Sequence, residues 1–241
     1  MRSSNKKCEL ILALDVESLG EGLEMLQAIG PKLKWVKVGL QLFTKYGPEV
    51  VRVIAGLGYK VFLDLKLHDI PNQVASAVKS LRGLPVGLLT VHTSGGEEMM
   101  RWASEARRDM GDSLQLLGVT VLTSMDSEGL RSIGVNIVPE EQVLRLGELG
   151  MRSGLQGLVC SPLELPMLRE RLGPDVILVT PGIRPLGADS NEQKRIMTPA
   201  EAVVAGADYI VVGRPVTKAE NPAKALEVIL SEMEVASVKN V

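Results

Sequence analysis

The sequence predicts a (β/α)8 barrel of the TIM type, folded as a single domain over residues 1–241. Its length of 241 residues is close to the roughly 250 that are typical of this fold. Eight short apolar runs alternate with segments of helical periodicity. The runs are nearly continuous and rich in Val, Ile and Leu, as is typical of parallel strands covered on both faces. A doubly wound open sheet gives the same alternation, so spacing alone leaves that second topology open.

The predicted strands follow one another along the whole chain. They occupy residues 10–16, 35–40, 60–66, 86–92, 114–123, 155–160, 176–180 and 209–213. The segments between them carry apolar residues three or four positions apart, as Val74, Ala77, Val78 and Leu81 show after the third run. No Ser/Gly-rich linker marks a second domain, and the tail from about residue 231 is predicted to be a frayed helix end.

The composition argues against several classes of partner. The 27 basic and 29 acidic residues give a net charge of −2, without the basic excess that holds a nucleic-acid backbone. Cys8 and Cys160 form no CxxC or Cys/His pattern, so neither a disulfide framework nor a zinc site is expected. Only five apolar residues separate Glu9 from Asp15, too few for a signal peptide, and no run is long enough to cross a membrane. A cytoplasmic protein is expected.

Polar residues close most of the apolar runs, and a barrel gathers such residues at the carboxyl ends of its strands. In chain order, the residues at the ends of the runs are Asp15, Lys37, Asp64, Lys66, His92, Thr123, Ser124, Pro181, Gly182, Gly213 and Arg214. A strand often simply ends where polarity begins. Lys37, Asp64 and Lys66 are different, because they interrupt apolar runs instead of following them.

The stretch "VFLDLKLHDIP" predicts a charged cluster. Side chains alternate along a strand, so Asp64 and Lys66 share one face, and Lys37 on the neighbouring strand can lie beside them. A buried ion pair adds little net stability to a protein, so folding alone seldom explains one. The cluster is therefore interpreted as a functional site whose groups have shifted pKa values. Asp69 follows the strand, and just before Ile70 and Pro71 it is also suited to cap a helix.

Two chemistries suit this cluster. Asp64 and Asp69 can be oxygen ligands of Mg²⁺, as in a metal-dependent sugar-phosphate lyase. Alternatively, Lys37 and Lys66 replace the metal as the positive charges, and two lysines alternating with two acids favour this second chemistry. A barrel that only senses a phosphorylated ligand is a third interpretation.

The last two runs end in a predicted phosphate site. Gly213 permits close backbone approach, Arg214 supplies a fork of donors, and Pro215 is suited to begin a short helix. Barrels often bind phosphate after strands seven and eight. The long loop at about residues 182–197 is predicted to be a mobile lid that closes on the phosphate.

Six motifs together resemble those of the orotidine 5′-phosphate decarboxylase family. "LDLKLHDIPN" resembles the family's DxKxxDIPN signature, "LALDV" its first-strand motif and "KVGLQLF" its second-strand motif. "VTVLTSM", "TPGIRP" and "VVGRPVT" resemble the motifs of the fifth, seventh and eighth strands. DxKxxD alone occurs in other sugar-phosphate enzymes of this barrel group, whereas six motifs in the family's order are specific.

The resemblance implies roles for the residues at matching positions. The implied charged tetrad is Lys37, Asp64, Lys66 and Asp69, with Asp69 reaching the active site of the partner subunit of a homodimer. The implied substrate contacts are Asp15 and Lys37 for the ribose, Ser124 and its neighbour Thr123 for the pyrimidine, Pro181 at the seventh strand end, and Gln193, Gly213 and Arg214 for the phosphate. Arg184 lies in the lid motif without an assigned contact, and His92 is implied to be a structural neighbour of the tetrad.

The implied reaction is the decarboxylation of orotidine 5′-monophosphate to uridine 5′-monophosphate, a step of de novo pyrimidine biosynthesis. It needs no cofactor and no metal, and Lys66 is expected to protonate C6. Gln73 departs from the family, which commonly has Thr after "DIPN" to reach the ribose of the partner subunit. Because Gln is also a donor and an acceptor, altered ribose contacts are expected, with activity retained.

Overall fold

The computed structural model describes residues 7–110, 113–185 and 195–239. Its eight strands form a closed parallel barrel in the order β1 to β8, which confirms the predicted (β/α)8 fold over the open sheet. The strands are β1 Glu9–Ala13, β2 Trp35–Gly39, β3 Lys60–Leu67, β4 Val86–His92, β5 Gln115–Val119, β6 Gly157–Val159, β7 Ile177–Thr180 and β8 Tyr209–Val212. The sheet is closed by the pairing of β1 with β8, in which Leu10 lies opposite Ile210.

Helices follow the strands around the outside of the barrel. Their bounds are α1 Leu19–Ile29, α2 Leu40–Tyr46, α3 Glu49–Gly56, α4 Pro71–Ser80, α5 Glu97–Arg108, α6 Ser127–Ser132, α7 Pro139–Arg152, α8 Leu165–Leu172, α9 Pro199–Ala205, α10 Arg214–Thr217 and α11 Pro222–Lys239. Short 3-10 turns occupy Gly30–Lys32, Thr93–Gly95 and Pro162–Glu164. No helix of the described ranges is long and apolar enough to cross a membrane.

Several elements end at different places from those expected. The first and fifth strands stop at Ala13 and Val119, earlier than their apolar runs, so that Asp15, Thr123 and Ser124 lie in loops beyond them. The last helix continues past residue 231 to residue 239, and Met233 and Ala236 are buried along it. The carboxyl-terminal tail is therefore packed helix where a frayed end was expected.

The apolar runs are continuous because both faces of each strand are buried. One cluster fills the barrel interior and comprises Ile11, Ala13, Trp35, Phe62, Leu88, Leu117, Val179 and Val211. Residues of the opposite parity, such as Leu10 and Leu12 on β1, pack in a larger layer under the helices. The interior is filled by side chains, and Lys37, Asp64 and Lys66 lie beyond this apolar layer at the carboxyl-end rim.

Gly157 on β6 shows how tightly the strands pack. A Cβ atom at this position would lie 2.3 Å from the backbone oxygen of Ile177 on β7. The close approach of the two strands therefore requires glycine.

Candidate active site

A cavity of about 290 Å³ opens at the carboxyl-end rim of the barrel. Its lining residues are Asp15, Lys37, Phe62, Asp64, Lys66, Val119, Val121, Leu122, Thr123, Ser124, Val159, Cys160, Pro181 and Val211. The polar side chains come from the loop after β1, from β2 and β3, and from the loop after β5, while much of the remaining wall is apolar. The cavity thus brings together seven residues that the sequence predicted for the site: Asp15, Lys37, Asp64, Lys66, Thr123, Ser124 and Pro181.

A larger cavity of about 690 Å³ lies at the opposite, amino-terminal rim. Three of its lining lysines form ion pairs with acids that also line it: Lys7 with Glu234, Lys32 with Glu227 and Lys34 with Glu9. Positive charge there is already balanced, and the cavity holds none of the residues predicted for the site.

The charged cluster centres on the carboxylate of Asp64. Its Oδ2 lies 2.8 Å from Lys66 Nζ and 3.8 Å from Lys37 Nζ. Lys37 Nζ also contacts Asp15 Oδ1 at 2.9 Å. The side chain of Asp64 is 13% exposed and that of Lys37 is 11% exposed, so these charges interact with little screening by water.

The convergence of Asp64 and Lys66 depends on an irregularity in β3. Leu63 pairs with Leu89 and Leu67 pairs with Val91, so three residues of β3 lie opposite the single residue Thr90 of β4. Lys66 has a φ of 51°, the left-handed region that residues other than glycine seldom adopt. The regular alternation expected from the sequence is therefore replaced by a bulge, and bulges commonly redirect a side chain at an active site.

Thr90 completes the charged cluster, and the sequence analysis did not predict it as a site residue. Its Oγ1 accepts a hydrogen bond from Lys66 N at 2.8 Å and donates one to Asp64 Oδ1 at 2.9 Å. A threonine inside the apolar run "VGLLTVH" was the available signal, because a buried hydroxyl needs partners.

Asp64 is held in its charged form. Burial by itself raises the pKa of this carboxyl, but the ammonium groups of Lys37 and Lys66 lower it. Hydrogen bonds from Lys66 and Thr90 act in the same direction, and the net pKa lies below its ordinary value.

His92, at the end of β4, lies outside the lining of the cavity. Its ring is 5.4 Å from that of His68, centroid to centroid. Burial lowers the pKa of His92, and the interactions with His68 and Lys66 lower it further, against an opposing effect of Asp64. His92 is therefore neutral at neutral pH.

Asp69 and Gln73 are exposed and do not line the cavity of their own chain. Asp69 Oδ1 accepts from the backbone N–H of Ile70 at 2.6 Å. The N-cap of α4 is Ile70 and makes no side-chain cap, so the helix-capping alternative for Asp69 is not what the structure shows; Pro71 begins the helix as expected.

The residues predicted for phosphate binding are only partly described. Gly213 is the N-cap of α10, and Arg214 and Pro215 form its first turn directly after β8. Arg184 is buried and its Nη1 donates to the backbone oxygen of Ile183 at 2.8 Å. Gln193 lies outside the described residues, as does most of the predicted lid.

Arg195 and Glu164 form a buried ion pair that the sequence did not predict. The Arg195 guanidinium pairs with Glu164, which is 1% exposed, and donates to the backbone oxygen of Leu122 at 3.2 Å. Leu122 precedes Thr123, so Arg195 connects the segment before α9 with the cavity wall after β5. Among the described residues, no group of three or more His, Cys, Asp or Glu side chains is arranged to hold a metal ion.

The chain is similar to proteins of one family over nearly its whole length. The model of the orotidine 5′-phosphate decarboxylase / HUMPS family matches residues 9–229. A protein of Opitutus terrae named orotidine 5′-phosphate decarboxylase is 52% identical over 227 residues, covering 94% of this chain and 99% of that protein. A protein of Aliivibrio fischeri with the same name is 48% identical over 234 residues, covering 97% and 99%. The crystal structure of orotidine 5′-phosphate decarboxylase from Lactobacillus acidophilus matches with a TM-score of 0.84 at 39% identity, covering 94% and 99%.

Proposed function

Because the chain belongs to the orotidine 5′-phosphate decarboxylase / HUMPS family, we propose that it converts orotidine 5′-monophosphate into uridine 5′-monophosphate and CO₂. The reaction is a carboxy-lyase step of pyrimidine biosynthesis. One observation carries the proposal: an ammonium group, that of Lys66, lies 2.8 Å from a buried carboxylate at the mouth of the cavity. An ammonium group beside a carboxylate suits a decarboxylation. The negative charge of the substrate carboxylate is lost as CO₂ forms, and negative charge develops on the ring carbon that carried it.

Lys66 is proposed both to stabilise that charge and to deliver the proton. The bond from C6 to the carboxylate breaks heterolytically, CO₂ departs, and the electron pair stays on C6. The Lys66 ammonium donates a proton to C6, and the resulting amine regains a proton from water. The pyrimidine carbonyls do not delocalise this electron pair well, so a fixed cation in a site shielded from water is the main source of stabilisation.

Asp64 is proposed to oppose binding of the substrate carboxylate. Two like charges 4 Å apart repel by about 4 kcal/mol at an effective dielectric constant near 20. The repulsion vanishes when neutral CO₂ forms, but stabilisation by Lys66 is the larger effect. Because the pKa of Asp64 is below its ordinary value, the carboxylate is charged throughout the neutral range.

The rest of the cavity suits a nucleotide. Thr123 and Ser124 border it on the β5 side and are proposed to meet the pyrimidine edge, while Asp15 and Lys37 meet the ribose. Gly213 and Arg214 are proposed to bind the phosphate, with Gln193 contributing from outside the described residues. Binding energy from the distant phosphate then helps to hold C6 against Lys66.

A homodimer is proposed to complete the site. The Asp69 carboxylate is exposed and lies outside its own cavity. Leu40 and Ile70 follow the ends of β2 and β3 and are 56% and 63% exposed. These two apolar side chains suit burial against a second copy, which would carry Asp69 towards the neighbouring cavity.

The test is the loss of orotidylate absorbance catalysed by the protein after dialysis against a chelator. Lys66→Ala is expected to lower kcat by on the order of 10⁴-fold or more, because both electrostatic stabilisation and proton donation are removed. Lys60→Ala is the matched control, since Lys60 begins the same strand at the opposite rim. Substantial turnover by Lys66→Ala, or wild-type activity that needs added Mg²⁺, contradicts the proposal.

The phosphate assignment is tested with Arg214→Ala. Loss of a charge-assisted hydrogen bond worth about 1.5–3 kcal/mol is expected to raise KM by roughly 10-fold to 150-fold. Lys218→Ala is the control, because Lys218 is an exposed cation at the other end of α10. An Arg214→Ala variant with unchanged KM argues against this role.

A further inference from the structure

We propose that Thr90 is a positioning residue for the decarboxylation, whose hydroxyl holds the Asp64 carboxylate and the Lys66 backbone in one fixed arrangement. This inference rests on the proposed function. It assigns a role to a side chain that does not line the cavity and therefore acts on the reaction only through its two partners.

The direction of both hydrogen bonds is unambiguous. A backbone N–H can only donate and an ionised carboxylate can only accept. Thr90 Oγ1 therefore accepts from Lys66 N at 2.8 Å and uses its single proton for Asp64 Oδ1 at 2.9 Å. Thr90 as a whole residue is 0% exposed, so no water competes with its hydroxyl for either partner.

The bulge makes this hydroxyl necessary. Residues 64–66 have only Thr90 opposite them on β4, which leaves the Lys66 N–H without a regular strand partner. The left-handed backbone of Lys66, with φ of 51°, persists only if surrounding contacts hold it. Thr90 supplies one such contact by accepting a hydrogen bond from the Lys66 N–H at 2.8 Å.

The second hydrogen bond divides the two oxygens of Asp64 between different partners. Oδ1 is bound to Thr90, while Oδ2 faces both lysine ammonium groups, at 2.8 Å for Lys66 and 3.8 Å for Lys37. With Oδ1 fixed, the carboxylate cannot rotate about its bond to Cβ. Lys66 is thereby held at both ends. Its ammonium group pairs with Asp64 Oδ2, and its backbone N–H donates to Thr90.

The experiment compares Thr90→Val, Thr90→Ser and Thr93→Val. Valine keeps the shape of threonine and removes the hydroxyl, whereas serine keeps the hydroxyl. Thr93 is the matched control, because it is equally buried and its Oγ1 donates to the backbone oxygen of Val119 on β5 at 2.7 Å, whereas the partners of Thr90 are both on β3. Each variant is assayed for kcat and KM with orotidylate, and for exchange of the C6 hydrogen of uridine 5′-monophosphate in D₂O by NMR. Thermal unfolding gives the stability.

We expect Thr90→Val to lose on the order of 100-fold in kcat, the effect of displacing a reacting group by about 1 Å. The C6 exchange rate should fall in parallel, with KM little changed and with most activity restored in Thr90→Ser. Thr93→Val should keep the wild-type kcat per folded protein, even if it melts earlier. A Thr90→Val variant that loses only stability, or a Thr90→Ser variant as slow as Thr90→Val, overturns the proposal.

If Thr90→Val does not fold, Thr90→Cys replaces it, since a thiol is only a weak donor and acceptor. The proposal then requires Thr90→Cys to be slower than Thr90→Ser, and equal kcat values for the two refute it. Wild-type turnover decides the proposed function, whereas the ratio of variant to wild-type kcat decides the role of Thr90, so the two failures are distinguishable.

Discussion

Replacing Asp64 by Asn tests whether the carboxylate organises the cluster. The change keeps the shape of the side chain but removes the charge between Lys66 and Lys37. At an effective dielectric constant near 20, the contacts at 2.8 Å and 3.8 Å correspond to attractions of about 6 and about 4 kcal/mol. Desolvation of the groups cancels much of this, and removing one partner of a buried pair generally costs about 3–5 kcal/mol.

Asp64→Asn is therefore expected to lower the free energy of unfolding by about 3–5 kcal/mol at neutral pH. For a chain of this size, the corresponding fall in Tm is roughly 6–20 °C. Urea unfolding followed by circular dichroism measures the change, at one fixed protein concentration because self-association adds stability. Asp15→Asn is the matched control: its carboxylate also pairs with Lys37, but it is 54% exposed. An exposed pair should contribute no more than about 1 kcal/mol.

The pH dependence provides a second check on the same variant. The pKa of Asp64 is lowered in the folded protein, so its stabilising effect is fully present above the ordinary value near 3.9. The effect is lost as the pH falls through the lower folded-state pKa, and the wild type and Asp64→Asn should then converge in stability. A cost as small as that of Asp15→Asn, or a difference that persists unchanged in strong acid, refutes the reasoning.

Two further predictions concern the barrel wall. Gly157→Ala should destabilise the protein by at least about 1–3 kcal/mol in urea unfolding, because its Cβ would meet the Ile177 oxygen at 2.3 Å. Gly56→Ala, with open space around its Cβ at the end of α3, should be neutral or stabilising, and equal effects of the two changes contradict this account. Burial raises the pKa of the Cys160 thiol to about 12, so its thiolate fraction at pH 8 is only about 10⁻⁴. Iodoacetamide should leave Cys160 unmodified in the folded protein and alkylate it in urea, as peptide mass spectrometry can measure; fast alkylation of the folded protein argues against this burial.

The amino-acid sequence predicted the alternation of strands and helices and the strand ends that carry the site, while the closed barrel was confirmed only by the structure. Apolar runs buried on both faces are a local pattern, and their alternation with helices recurs often enough to indicate parallel strands. Charges that interrupt those runs, as Lys37 and Asp64 do, must then gather at one end of the barrel. The six motifs predicted seven of the fourteen residues that line the cavity.

The contacts that hold the cluster together form only in the folded barrel. The alternation of side chains along β3 predicted that Asp64 and Lys66 share a face, but it could not predict the bulge. A bulge depends on the register of two strands, and the sequence of one strand does not contain that register. The contacts of Thr90 and the pairing of Arg195 with Glu164 likewise join residues distant in the chain. Such contacts follow from the closing of the barrel, which brings together groups whose spacing in the sequence carries no signal.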